Sequence, residues 1–120
     1  MAQMKALLVQ TFNANGAINS KFRFLVFTAE YTVGLAGAGA RAIGVNIDTA
    51  PSAGRGLAVV TQGTVKVEAG AAVAAGALVA PDATGRAITA TGGAQYSARA
   101  LQAATAAGDI IECELESGTA

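Results

Sequence analysis

Between Leu57 and Ala90 the chain reads LAVVTQGTVKVEAGAAVAAGALVAPDATGRAITA. Apolar residues alternate with small or polar ones, and Gly or Pro-Asp interrupts the run every several residues. Side chains two apart share one face of a strand, and Gly and Pro mark turns, so this stretch predicts short strands joined by tight turns. Leu57–Gln62 and Thr64–Glu68 read as strands on either side of a turn or bulge at Gly63, with Val65 and Val67 inward and Lys66 and Glu68 outward. Gly70 marks the next turn, and Val73 with Gly76, Leu78 and Val79 the next element. Pro81-Asp82-Ala83-Thr84-Gly85 is a turn in which Asp82 serves local hydrogen bonding, and Arg86–Ala90 leaves it as a strand.

The rest of the chain follows the same period. Residues 1–20 form an N-terminal arm, extended or holding one short strand, whose Leu7, Leu8, Val9 and Phe12 are too apolar to stay in water. It either packs back on its own domain or adds to a neighbour's sheet. Residues 21–28, KFRFLVFT, read as the strongest strand; they hold three of the four Phe residues and are expected to anchor the core, with LVF buried on both faces. Glu30 to Val33 reads as its continuation. Residues 41–47, RAIGVNI, form a strand with Ile43, Val45 and Ile47 on one face. Tyr96–Gln102 reads as a strand, Ala103–Ala107 as a short turn of helix, and Ile110–Leu115 as a last strand with Ile111, Cys113 and Leu115 inward. Together these elements predict a mainly β domain over residues 21–120. It is a small β-barrel or β-sandwich-like (β-tulip-like) fold of short antiparallel strands with at most one short helix.

Composition narrows the function classes. Charged residues make up only 13% of the chain, which leaves little solubilising surface and points to contact with partners. The net charge is zero and no basic patch is present, so the expected partners include no nucleic acid. The halves differ, however. Lys5, Lys21, Arg23, Arg41 and Arg55 outweigh Glu30 and Asp48 in residues 1–60. Asp82, Asp109, Glu68, Glu112, Glu114 and Glu116 outweigh Lys66, Arg86 and Arg99 in the rest. This reads either as two solvated faces or as complementary contacts between neighbouring subunits. No run approaches the ~18–20 apolar residues of a membrane helix, and residues 1–11 lack the long apolar region of a secretory signal. The expectation is a chain kept in a cytoplasm, or released with something assembled there, and no membrane partner.

Catalytic constellations find little support. The sequence has no histidine, so the usual general base is missing and no His-containing triad can form. One cysteine, Cys113, permits neither an intrachain disulfide nor a zinc set, and its acidic neighbours make it a small core residue rather than a reactive thiol. Glu112 and Glu114 read as a solvated strand face, and the DATG turn offers too few oxygens for calcium. Gly34, Gly37 and Gly39 have GxxGxG spacing, but a strand-like segment follows where a phosphate-binding loop needs a helix. No cofactor, metal or catalytic residue is expected, and the protein is read as a non-enzyme.

One resemblance adds to this. The valine-rich strand at Val65–Val67, AGAAVAAG at 69–76, D-x-x-G-R-A at Asp82–Ala87, the small-residue stretch Ala100–Asp109 and the strand Ile110–Leu115 resemble the capsid cement, or decoration, proteins of tailed bacteriophages. The shared pattern includes a β-hairpin around Gly63 and covers roughly residues 41–116. The resemblance implies a non-enzymatic protein on the outer surface of a phage head, at capsomer junctions. The major capsid protein is then its partner, self-association a homotrimer (a dimer the alternative), and the virion its location. On that footing Met4, Leu7, Leu8, Val9 and Phe12 are the candidate capsid or oligomer interface, and removing residues 1–12 is expected to abolish decoration while leaving the fold. The rival reading is a biotinyl- or lipoyl-like carrier, since VEAGAAVAAGALVA resembles the repeat of those domains. Their modified Lys lies in an exposed hairpin, whereas Lys66 lies upstream of the pattern.

Overall fold

The alternation in the central stretch produces one long strand rather than two. In a computed structural model that describes residues 6–119, with side chains from Leu8 onward, β5 (Gly56–Glu68) runs unbroken through Gly63. The expected hairpin at Gly63 is therefore not formed. This glycine takes φ +101, a conformation that disfavours a side chain, and turns the strand from one sheet into another without ending it. Residues before it pair with β1 (Ala6–Ala14) and β4 (Gly44–Asn46), and Thr64–Glu68 pairs with β9 (Ile110–Thr119).

Two assemblies share that strand. On one side β1, β3 (Thr32–Leu35), β2 (Phe24–Ala29), β4 and β5 pair in that order, and pairing of β1 with β5 closes them into a five-stranded barrel. On the other, β5 continues through β9, β8 (Gln95–Ala100), β6 (Leu78–Pro81) and β7 (Ala87–Thr89). All pairings are antiparallel except β1 with β3, which is parallel. Among the described residues there is no helix, hence none long and apolar enough to cross a membrane.

Each assembly has its own core. Leu25, Val33, Leu57 and Val59 gather with Ala14, Ile18 and Ala50 in one cluster, against which Phe12 and Ile43 pack. Phe24, Val45, Val60, Val65, Val67, Val79, Ile111 and Cys113 form the other. Sequence neighbours therefore part company: Phe24 and Leu25 are both fully buried in different cores, as are Val59 and Val60. Strand pleating sends successive side chains to opposite faces, and β2 and β5, on either side of β4, are covered on both faces at Phe24–Leu25 and Val59–Val60. Gly44 makes that approach possible, because a Cβ there would strike the Val60 carbonyl oxygen.

Several expected elements shift. The strand over 21–28 begins only at Phe24, because Phe22 takes φ +63 and leaves strand geometry. Burial on both faces falls on Phe24 and Leu25 rather than on the LVF run, and Phe27 is exposed. Glu30 and Tyr31 reverse the chain into β3 instead of extending β2, and RAIGVNI pairs only over Gly44–Asn46. Ala103–Ala107 holds no helical turn. Ala104 bridges Val73, and the Asp109 carboxylate accepts hydrogen bonds from the Thr105 amide (2.8 Å), the Thr105 hydroxyl (2.9 Å) and the Ala106 amide (3.3 Å). A helix of so few residues cannot repay its nucleation, so the local carboxylate bonds win.

An ionic clasp joins the assemblies. Glu68, at the end of β5, meets Arg23 (3.3 Å) and Arg86 (3.6 Å), and Arg86 meets Asp82 (3.4 Å). Asp82 also accepts from the amides of Thr84 (2.8 Å) and Arg86 (2.9 Å) and from the Thr84 hydroxyl, the local role its turn predicts. The buried Asn46 amide is satisfied at both ends. Its oxygen accepts from the Arg23 amide, and its nitrogen donates to the Ser20 and Asp48 carbonyls, which fixes the entry to β2.

Candidate functional site

The candidate interface residues lie on β1. Met4 falls outside the described residues; Leu7 lies in β1, with its side chain outside them. Leu8 and Val9 are 40% and 46% exposed, large values for aliphatic side chains on a paired strand. Phe12 is half-buried and meets Phe27 edge to face, ring centres 5.2 Å apart at 90°. This arrangement follows from the register. β1 pairs with β5 from Ala6 to Asn13, but its pairing with β3 begins only at Asn13, opposite Thr32. Among the described residues, β1 before Asn13 therefore has a strand on one side only. Its other edge carries the unpaired backbone groups that favour strand addition. β1 closes the barrel, and Phe12 lies opposite Leu57 in the register and packs against the barrel cluster, so residues 6–12 belong to the barrel wall.

Three further residues extend the apolar surface. Phe27 is 51% exposed, Tyr31 is 68% exposed, and Leu35 is also exposed. Phe27 sits on the face of Leu25 and Val33, at the margin of the barrel core, where burial of the strand runs out. Tyr31, at the β2–β3 hairpin tip, holds φ +52. For a bulky side chain that conformation costs roughly 1–2 kcal/mol, which glycine would avoid. Phe22 shares the strain, but its ring packs on the second core, and its amide and carbonyl are bonded to Asn46 and Glu68. Among the described residues Tyr31 is tied through its backbone, its carbonyl accepting from the Asn13 amide at 2.8 Å. A Glu-Tyr hairpin turn is the one sequence signal that pointed there, since Gly or Asn is the usual occupant.

Charge is distributed in the opposite sense. β1, β2 and β3 contain no charged residue, and the hairpin between β2 and β3 adds only Glu30. The second sheet instead aligns Lys66 with Glu112 and Arg99 with Glu114, and Arg99 bonds Glu116 at 3.1 Å. Where the sheets diverge, Ala42, Ile43, Thr61, Ser97, Leu115, Glu116 and Ser117 line a cleft of about 240 Å³. That is below the ~300–1,000 Å³ of sites for drug-sized ligands.

The ionisable groups hold structure. Burial, with Glu112 beside it, pushes the Cys113 thiol up to about 12, so it is a packed core residue rather than a nucleophile. Burial alone would raise Asp82. The Thr84 and Arg86 amides, the Thr84 hydroxyl and the Arg86 charge outweigh it and hold the carboxyl below its ordinary value. Asp109 is lowered by its bonds from Thr105 and Ala106. Among the described residues no cluster of three or more Cys, Asp or Glu could hold a metal ion. Lys66 is paired within β5, opposite Glu112, not at a hairpin tip, so the carrier reading lacks its defining feature.

The model of the family described as phage cement protein matches residues 2–115. The chain belongs to the phage cement protein family. Its role is structural: it stabilises a phage capsid, and the virion capsid is where it resides. No curated protein matches the chain. Among solved structures it is similar to the N base of head fiber gp8.5 in bacteriophage phi29, with a TM-score of 0.73 and 13% identity. That match covers 91% of this chain and 93% of the other, so the two share a fold across nearly their whole length.

Proposed function

We propose that this cement protein binds the outer surface of the head at capsomer junctions, with the major capsid protein as its partner, and reaches it through the N-terminal segment. Leu8, Val9 and Phe12, together with Met4 and Leu7, form the contact. The supporting observation is the coincidence of exposed apolar side chains with the one-sided pairing of β1 before Asn13. An extended capsid segment adds to that edge, its main chain supplying the hydrogen bonds and Leu8 and Val9 the apolar area, worth about 25 cal/mol per Å² removed from water. Copies associate with each other as a homotrimer, and many symmetric contacts then add through avidity. Loading follows head assembly in the host cytoplasm. The protein works by contact area, not by catalysis.

The test uses purified heads lacking the protein. The double variant Leu8→Lys, Val9→Lys places charge on the edge without opening the barrel. It should keep the wild-type thermal midpoint and lose at least tenfold in affinity for heads. Saturation of the heads at unchanged affinity would overturn the assignment of this surface.

A further inference from the structure

We propose that copies of this chain join head to side, Tyr31 of one copy seating in the cleft between the two sheets of the next. The inference rests on the self-association read above and assigns its surface. The hairpin tip is a knob: an aromatic side chain, 68% exposed, kept on a left-handed backbone that glycine would occupy without strain. A side chain held there against its backbone preference points to work outside its own fold, because among the described residues none covers it.

The cleft is the matching hole. It is too small for a typical ligand and of a size for one aromatic side chain. Its lining is mainly polar: Ile43 and Leu115 supply apolar contact for a ring, and Thr61, Ser117 and Glu116 offer oxygens to a phenol hydroxyl, the Ser97 hydroxyl being taken up by the Ala42 amide. Tyrosine suits such a site because its body is apolar and its tip polar. Charges at the margins complement each other. Glu30 adjoins the knob, and Arg41 adjoins Ala42 on the cleft; both are exposed, and neither takes part in an ion pair among the described residues. Glu116 in the cleft is already neutralised by Arg99. Tyr31 does not line the cleft of its own chain, so knob and hole are separate patches and the contact is heterologous, the kind that closes into a ring when the rotation allows.

Sedimentation of the free full chain reads this directly. Wild type should associate. Tyr31→Gly should be at least tenfold weaker in association while its thermal midpoint stays the same or rises, a combination that a purely structural Tyr31 would not produce. Glu30→Arg and Arg41→Glu should each weaken association, and the two together should restore it. If wild type associates but these variants do so equally well, the interface lies elsewhere and only this assignment falls. A wild-type chain that stays monomeric at every concentration overturns both the assignment and the self-association it rests on.

Discussion

The barrel and the second sheet present opposite surfaces to their surroundings. β1, β2 and β3 carry no charged residue and expose Leu8, Val9, Phe27 and Leu35, with Tyr31 at the hairpin between β2 and β3. The second sheet exposes Leu101 and Ile110 beside cross-strand partners of opposite sign, Lys66 with Glu112 and Arg99 with Glu114. Charge satisfied within a chain suits a face that meets water. A charge-free surface with aromatic side chains suits one that a partner covers. The same contrast separates the two left-handed aromatics: Phe22 is held by its own core, whereas Tyr31 faces outward.

The sharpest way to break this contrast is through the cores. Leu25→Ala and Phe24→Ala alter neighbouring residues that face the barrel and the second core respectively, and each should cost about 3–5 kcal/mol. Because β2 and β5 contribute to both cores, a single calorimetric transition should shift in either variant. Two separate transitions would show that the assemblies fold independently. Glu68→Ala comes next. It leaves Arg23 and Arg86 facing one another at the junction, and urea denaturation should record a loss of about 2 kcal/mol, between the values for exposed and buried pairs.

Acid titration probes the same junction more gently. Asp82 has a native pKa below the ordinary 3.8 it has when unfolded, so its contribution is complete above that value and is lost as pH falls through the lower native one. Asp82→Asn should flatten the stability profile below about pH 4 and leave its slope near neutrality unchanged. The smallest effect on stability is expected at the surface. Glu114→Gln, at an exposed position, should change stability by less than about 0.5 kcal/mol and leave head binding intact, in contrast to lysine at Leu8 and Val9.

Much of this was legible locally. Alternation placed Val65, Val67, Ile111 and Cys113 inside, and the Asp82 turn behaves as its residues require. Gly63 was recognisable as a break in the strand pattern, but whether it reversed or bent the strand depended on β1 and β4 pairing before it and β9 after it. The interface residues on β1 were legible as too apolar for water. Phe27 and Tyr31 were not, because an aromatic residue in a strand-like run reads as core until the strand's neighbours are known.

Alternation, turn chemistry and the missing histidine settle that this chain is a small β domain with no His-based chemistry, since these depend only on neighbours along the chain. Tertiary structure decided the rest: barrel closure by β1, the parallel step to β3, the Arg23–Glu68–Arg86 clasp, and the split of Phe24 from Leu25. The physical reason is that strand period states which side chains face apart, while only pairing between distant segments determines what covers each face, and which faces stay open to a partner.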